Sequence, residues 1–161
     1  PEKVLLAGFS ASGMFVNRFA LLHPDRVKAA VIGSPGGWPI VPAFDEKGER
    51  LPYPIGVADL EELTGARPDL AAFAKLPLFF HLGDQDDNDS VTFRDGYEEE
   101  DQALVFRLFG RTPVERWPHA ERIYQEAGCN AIFRTFRGVG HTMTEENLRE
   151  VVGFLEKARV E

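Results

Sequence analysis

Residues 4–13 read Val4-Leu5-Leu6-Ala7-Gly8-Phe9-Ser10-Ala11-Ser12-Gly13. An uncharged apolar run enters a turn of small residues, and Phe15, Phe19 and Leu22 then recur at helical spacing until His23-Pro24 stops the pattern. This predicts a strand that turns directly into a helix, with Ser10 at the turn. Three more runs, 28–33, 77–83 and 131–136, read as strands. The first three of the four runs are nearly continuous in apolar residues, as parallel strands covered on both faces should be. Helices are expected between and after them. Ala120, Ile123, Tyr124 and Ala127 fall at i, i+3, i+4 and i+7 ahead of Gly128, with Pro118 marking a start or a kink. Leu148, Val151, Val152 and Leu155 follow a Thr142/Glu145 pair at capping-box spacing. Strand and helix in alternation predict the α/β class, a parallel sheet with flanking helices and right-handed crossovers.

The 161 residues, 43% of them apolar, suit one domain over 1–161. No uninterrupted apolar run approaches the roughly 18 residues of a membrane span, and no basic-then-apolar leader opens the sequence, so the chain reads as soluble with no membrane partner. A single cysteine, Cys129, can form neither an internal disulfide nor a cysteine-based zinc cluster. That suits a reducing compartment, with the cytoplasm favoured. Charge is concentrated rather than spread. Residues 84–101 hold nine Asp or Glu against Arg94 alone, which equals the net charge of −8 of the whole chain. The remainder is neutral and has no Lys/Arg stripe to meet phosphates, so no nucleic-acid partner is expected.

Two segments break the strand-helix rhythm. The first insert, 35–76, opens with five Pro and four Gly within 35–58 and continues with short helical pieces at 59–63 and 69–75. The second, 87–112, is acidic in its first part, which reads as a solvated acidic cap over a site entrance. Both follow carboxyl ends of strands, where α/β folds gather their ligand sites. Trp38, Phe44 and Tyr53 on the first insert are candidate pocket walls, with core packing equally open to each. Asp84, Asp86, Asn88 and Asp95 match positions 1, 3, 5 and 12 of a calcium loop, but Asp89 stands where position 6 needs Gly, and position 12 should be Glu. No metal is expected on balance.

Gly8-Phe9-Ser10-Ala11-Ser12 resembles the nucleophile elbow of the α/β-hydrolase family, with Ser12 in place of the second Gly. A serine in a strained turn needs small residues two before and two after it, where strand and helix cross. Taking Ser12 as nucleophile would put Met14 in the crowded place, so Ser10 is favoured, with the Ala11 N–H as oxyanion donor. A dinucleotide fingerprint would need Gly where Ser10 stands, and a P-loop would need Lys after its last Gly. The family's chain order is serine, acid, histidine. Leu82-Gly83-Asp84-Gln85-Asp86-Asp87 looks like its acid turn, which selects Asp86 while leaving Asp84 and Asp87 open. Arg137-Gly138-Val139-Gly140-His141 looks like its histidine loop, which selects His141; His23, His81 and His119 read as structural. The resemblance implies a Ser10–His141–Asp86 triad cleaving carboxylic esters, small or polymeric, through an acyl-enzyme and without a cofactor. Leu51-Pro52-Tyr53-Pro54 and Tyr97-Glu98-Glu99-Glu100-Asp101 look most like bacterial and archaeal members related to esterases and polyester depolymerases. The family carries strands and an oxyanion loop ahead of the elbow that have no counterpart in these residues. The resemblance therefore implies the C-terminal half of the fold, with an open edge on the first strand for a missing N-terminal segment or for self-association. The competing reading is a non-catalytic interaction or assembly module, or a calcium-binding domain, of the same topology.

Overall fold

A computed structural model describes residues 2–160. β1 (Val4–Phe9) passes through Ser10 into α1 (Ala11–Leu22), and β2 (Val27–Gly33) follows. The first insert carries a short ribbon, β3 (Asp45–Glu46) with β4 (Glu49–Arg50), and two brief helices, α2 (Leu60–Thr64) and α3 (Leu70–Ala74). β5 (Leu78–Gly83) leads to α4 (Ser90–Phe93), α5 (Glu99–Phe109) and α6 (Pro113–Glu126), and the chain ends with β6 (Ala131–Phe136) and α7 (Glu145–Val160). The four longer strands form one parallel sheet in the order β1-β2-β5-β6. The fold is thus α/β, as the strand-helix alternation predicts.

Alternate residues of the strands face opposite layers. Ile32 and Phe80 join the large core with Val16, Ala20 and Leu21 of α1, Tyr124 of α6 and the first insert. Val31 and Phe79 face the other way, where Val151, Phe154 and Leu155 of α7 cover them. Each large apolar side chain buried in the first layer contributes about 1.5–3 kcal/mol, so that layer carries most of the stability.

The packing face of α1 differs from the one its apolar spacing suggests. Gly13, Val16, Asn17, Ala20 and Leu21 are buried, while Phe15 is 61% exposed. The elbow sets this rotation. A Cβ on Gly13 would lie 2.5 Å from the Gly33 carbonyl oxygen, so Gly13 must face the sheet. Residues 16, 17, 20 and 21 are in helical phase with it; Phe19 and Leu22, at the margin of that face, are half-buried against the core, and Phe15 is turned away from it. Buried Asn17 is satisfied across the layer, its amide donating to the Tyr124 hydroxyl (2.9 Å), which donates to the Ile40 carbonyl (2.7 Å).

Two helix starts also differ from the sequence reading. α6 begins at Pro113, not at Pro118, because Thr112 and Glu115 form a capping box with Pro113 at the first helical position. The helix then runs through Pro118. At α7, Thr144 and Asn147 form the cap rather than Thr142 and Glu145: the Thr144 N–H donates to Asn147 Oδ1 (2.8 Å), and the Asn147 N–H donates to Thr144 Oγ1 (3.2 Å). Val151 is buried on this helix, but Leu148 and Val152 remain exposed. Among the described residues β1 pairs with β2 alone, so its far edge presents unpaired backbone groups.

Candidate active site

Ser10, the acid loop after β5 and the histidine loop after β6 all leave the sheet at the carboxyl ends of its strands. The turn at Ser10 is strained. Its φ of 59° and ψ of −128° lie where a residue with a Cβ is seldom found, and the backbone around it holds the position. The Ser10 N–H donates to the Gly33 carbonyl (2.9 Å), and its own carbonyl accepts from the Met14 N–H (3.0 Å). Gly8 gives α1 room to cross, since a Cβ there would stand 2.3 Å from the Ser12 carbonyl oxygen. Ser12 closes the turn by accepting from the Phe9 N–H (2.9 Å) and donating to the Phe9 carbonyl (2.7 Å). Its hydroxyl is committed to the backbone, whereas Ser10 stands at the N-terminal end of α1. The positive end of that helix and the Ala11 N–H favour negative charge developing beside Ser10.

Asp86 and His141 are directly bonded. Nδ1 of His141 lies 3.0 Å from each carboxylate oxygen of Asp86. The Asp86 side chain is fully buried and that of His141 is 22% exposed. A carboxylate only accepts hydrogen bonds, so this contact suits the tautomer of His141 with its proton on Nδ1, which in a neutral ring leaves a lone pair on Nε2. Asp86 also accepts from the Asn88 N–H (3.0 Å). Asp84 acts differently, its Oδ1 accepting from the Gly138 N–H (2.7 Å), which ties the acid loop to the histidine loop. The Gln85 N–H donates to the Val139 carbonyl (2.9 Å) in the same tie. Asp87 is exposed.

The path of His141 toward the elbow depends on a glycine that motif spacing did not single out for this role. His141 follows β6, at the far side of the sheet from β1, yet its ring lies 4.8 Å from that of Phe9, the neighbour of Ser10. The histidine loop crosses the end of β5 to get there. A Cβ on Gly83 would meet the Val139 carbonyl oxygen at 2.0 Å, so only glycine lets the loop pass. Beneath Phe9, His81 sits buried beside Phe79 and Phe136. Burial lowers its pKa to about 4, with Glu150 opposing, which keeps the ring neutral.

The pocket candidates separate. Trp38 is 1% exposed, stacks on Phe109 at 4.1 Å and donates from Nε1 to the Ile55 carbonyl (3.0 Å), which makes it a core residue. Phe44 is half-exposed at the ribbon, its carbonyl accepting from the Leu51 N–H (2.9 Å). Tyr53 alone of the three borders the cavity of about 480 Å³ that begins at Ala11 and runs along the outer face of α1 past Met14 and Arg18. A second cavity, about 410 Å³, lies over the acid loop between Asp87, Phe93 and Val114.

The acidic stretch is not simply a solvated cap. Asp86 and Asp89 are buried in specific bonds, and Asp101 accepts from the Glu98 N–H (3.0 Å) at the start of α5. Among the described residues, no group of three or more His, Cys, Asp or Glu side chains is arranged to hold a metal ion. Burial pushes the Cys129 thiol up to about 11, far from a reactive thiolate at neutral pH.

No family model and no curated protein matches the sequence. Solved structures do match. Poly(aspartic acid) hydrolase-1 from Sphingomonas sp. KT-1 superposes with a TM-score of 0.57 at 23% identity over 93% of this chain and 53% of its own. The poly(3-hydroxybutyrate) depolymerase LpqC from Bordetella parapertussis gives 0.57 at 23% over 87% and 45%, and Arabidopsis thaliana SOBER1 gives 0.55 at 17% over 96% and 52%. The chain spans about half the length of the solved structures it matches. With four parallel strands, flanking helices and this alignment, the chain has the α/β-hydrolase fold over about half the extent of those relatives.

Proposed function

We propose that this chain carries the catalytic residues of a serine hydrolase that cleaves carboxylic esters through an acyl-enzyme. The observation that carries the reading is the buried Asp86 carboxylate, both oxygens 3.0 Å from His141 Nδ1, with the imidazole against Phe9 beside the strained Ser10 turn. Ser10 is assigned through the backbone of the elbow and this ring contact rather than through a bond to His141. The fold shared with a poly(aspartic acid) hydrolase and a poly(3-hydroxybutyrate) depolymerase supports a hydrolytic reaction.

In this reading Ser10 Oγ attacks the ester carbonyl while His141 Nε2 takes its proton, and Asp86 stabilises the imidazolium that results. The Ala11 N–H donates to the tetrahedral oxyanion. His141 returns the proton to the departing alcohol, then activates the water that releases the acid and restores Ser10. The cavity from Ala11 to Tyr53 is proposed to receive part of the substrate. A further polypeptide segment seated on the open edge of β1 is proposed to complete the site, since one backbone donor alone is a weak oxyanion hole.

Labelling with a fluorophosphonate probe tests the reading. Labelling of the wild type that disappears in Ser10→Ala supports the enzyme. The open β1 edge and the exposed Phe15 favour a second reading, a non-catalytic assembly module, and absence of labelling in folded full-length protein would establish it.

A further inference from the structure

Arg116 has no part in the chemistry described above, yet among the described residues no other buried side chain makes as many hydrogen bonds. It is fully buried on α6. Nη1 and Nη2 grip the two oxygens of Asp89 at 2.7 and 3.0 Å. Nε donates to the Gly110 carbonyl (3.0 Å), Nη2 to the Arg111 carbonyl (2.7 Å) and Nη1 to the Gly37 carbonyl (3.2 Å). The guanidinium therefore joins the loop after β2, the loop after β5 and the entrance to α6. The geometry tolerates little change, because a Cβ on Gly37 would lie 2.3 Å from Asp89 Oδ1. Asp89 is completed by the Val91 N–H (3.1 Å) and the Thr92 hydroxyl (2.5 Å).

Residues 84–89, between the end of β5 and α4, form no helix or strand, so no ladder of backbone bonds holds Asp86 in place. Their start is pinned to the histidine loop by Asp84 and Gln85. Their end is pinned by Asp89, three residues beyond Asp86, to Arg116. A buried ion pair is a poor choice for stability alone, since apolar residues of similar volume often do as well once the desolvation of both charges is counted. What the fork adds is direction: two parallel bonds set the position and the orientation of the carboxylate together.

We infer that Arg116 is a positioning residue for the Asp86–His141 pair, acting through Asp89 to hold the acid loop so that Asp86 presents both oxygens to His141 Nδ1. The kinetic readout of this inference rests on the serine-hydrolase reading; the spectroscopic readout does not. In full-length protein, the low-field proton resonance of the His141 Nδ1–H bonded to Asp86 is recorded for wild type, Arg116→Lys and the paired replacement Arg116→Met with Asp89→Leu, which leaves no buried charge alone. Expected is a wild-type resonance that broadens or vanishes in the paired variant at an unchanged melting temperature, with Arg116→Lys between the two. In p-nitrophenyl acetate hydrolysis, kcat falls by about 10²-fold in the paired variant while KM holds, the scale of an angstrom-level misplacement. A folded paired variant that keeps the resonance overturns the inference. So does failure of every variant to fold, which assigns Arg116 to the scaffold. If Ser10 proves unreactive while the resonance responds as expected, the hydrolase reading fails and the positioning role stands.

Discussion

Ser10 and Asp86 stand at the same end of one sheet, but they are held from different distances. At the elbow, Gly8 packs against the Ser12 backbone, and the Ser12 hydroxyl closes on Phe9, all within the turn itself. In the acid loop, the partners lie 54 positions away for Asp84, 55 for Asp86 and 27 for Asp89. Steric exclusion between neighbours, with one backbone bond to Gly33, shapes the first, and carboxylates meeting partners remote in the chain shape the second. A local turn survives as a motif in the sequence, whereas a loop held from afar leaves only a run of carboxylates whose separate tasks look alike.

The comparison is broken most severely at its charged half. Asp86→Asn should leave the fold intact and lower kcat for p-nitrophenyl acetate by about 10⁴-fold, because an amide no longer enforces the required tautomer of His141. Asp87→Asn should remain near wild type. Equal losses at both positions would move the catalytic acid elsewhere.

On the elbow side, the rotation imposed on α1 by Gly13 makes an asymmetric prediction. Leu21→Ala should cost about 2–5 kcal/mol in urea unfolding, as for a filled core position. Phe15→Ala should change stability by no more than about 0.5 kcal/mol. A large loss at Phe15 would show that its face is covered in the protein in solution.

His81, beneath Phe9, tests whether that side of the elbow is apolar in practice. Its folded pKa, about 4, is below the ordinary 6.5, so the unfolded chain takes up its proton first as the pH falls. Stability from the neutral ring is complete above about pH 6.5 and is lost as the pH drops toward 4, amounting to about 3 kcal/mol at full protonation. Urea titrations at pH 7 and pH 4.5 should show a smaller pH-dependent loss in His81→Leu than in wild type. The same loss in both would remove His81 from the acid response.

The smallest effect falls where the two halves meet. Gly83→Ala should push the histidine loop off the end of β5 and reduce kcat by about 10²-fold, with KM little altered. Wild-type turnover would mean that the loop reaches Ser10 by another path.

Much of the fold was legible because strands and helices announce themselves over short windows. The four sheet strands fall within a residue of the apolar runs, and α2 and α3 lie where short helical pieces are expected. The misread features share one cause. Apolar spacing named Phe15, Phe19 and Leu22 as a packing face; Phe19 and Leu22 do pack against the core, but spacing carries no rotational origin, and contact of Gly13 with β2 turns Phe15 outward. Thr112-Pro113-x-Glu115 is a clear helix start, upstream of the Pro118 that the apolar spacing took as a start or a kink. For Trp38 the sequence left pocket wall and core packing equally open, and stacking on Phe109, 71 positions later in the chain, places it in the core.

The four sheet strands, the helices α1, α6 and α7 and the serine turn follow from local pattern, because strand, helix and tight-turn preferences act between near neighbours, and Ser10, Asp86 and His141 follow as candidates from the resemblance of their motifs. The separate work of Asp84, Asp86 and Asp89, the passage of the histidine loop over Gly83 and the grip of Arg116 depend on groups remote in the chain. Which carboxylate meets which donor is a matter of distance in space, and it is decided when β5, β6 and α6 pack together and bring groups remote in the chain within hydrogen-bond reach.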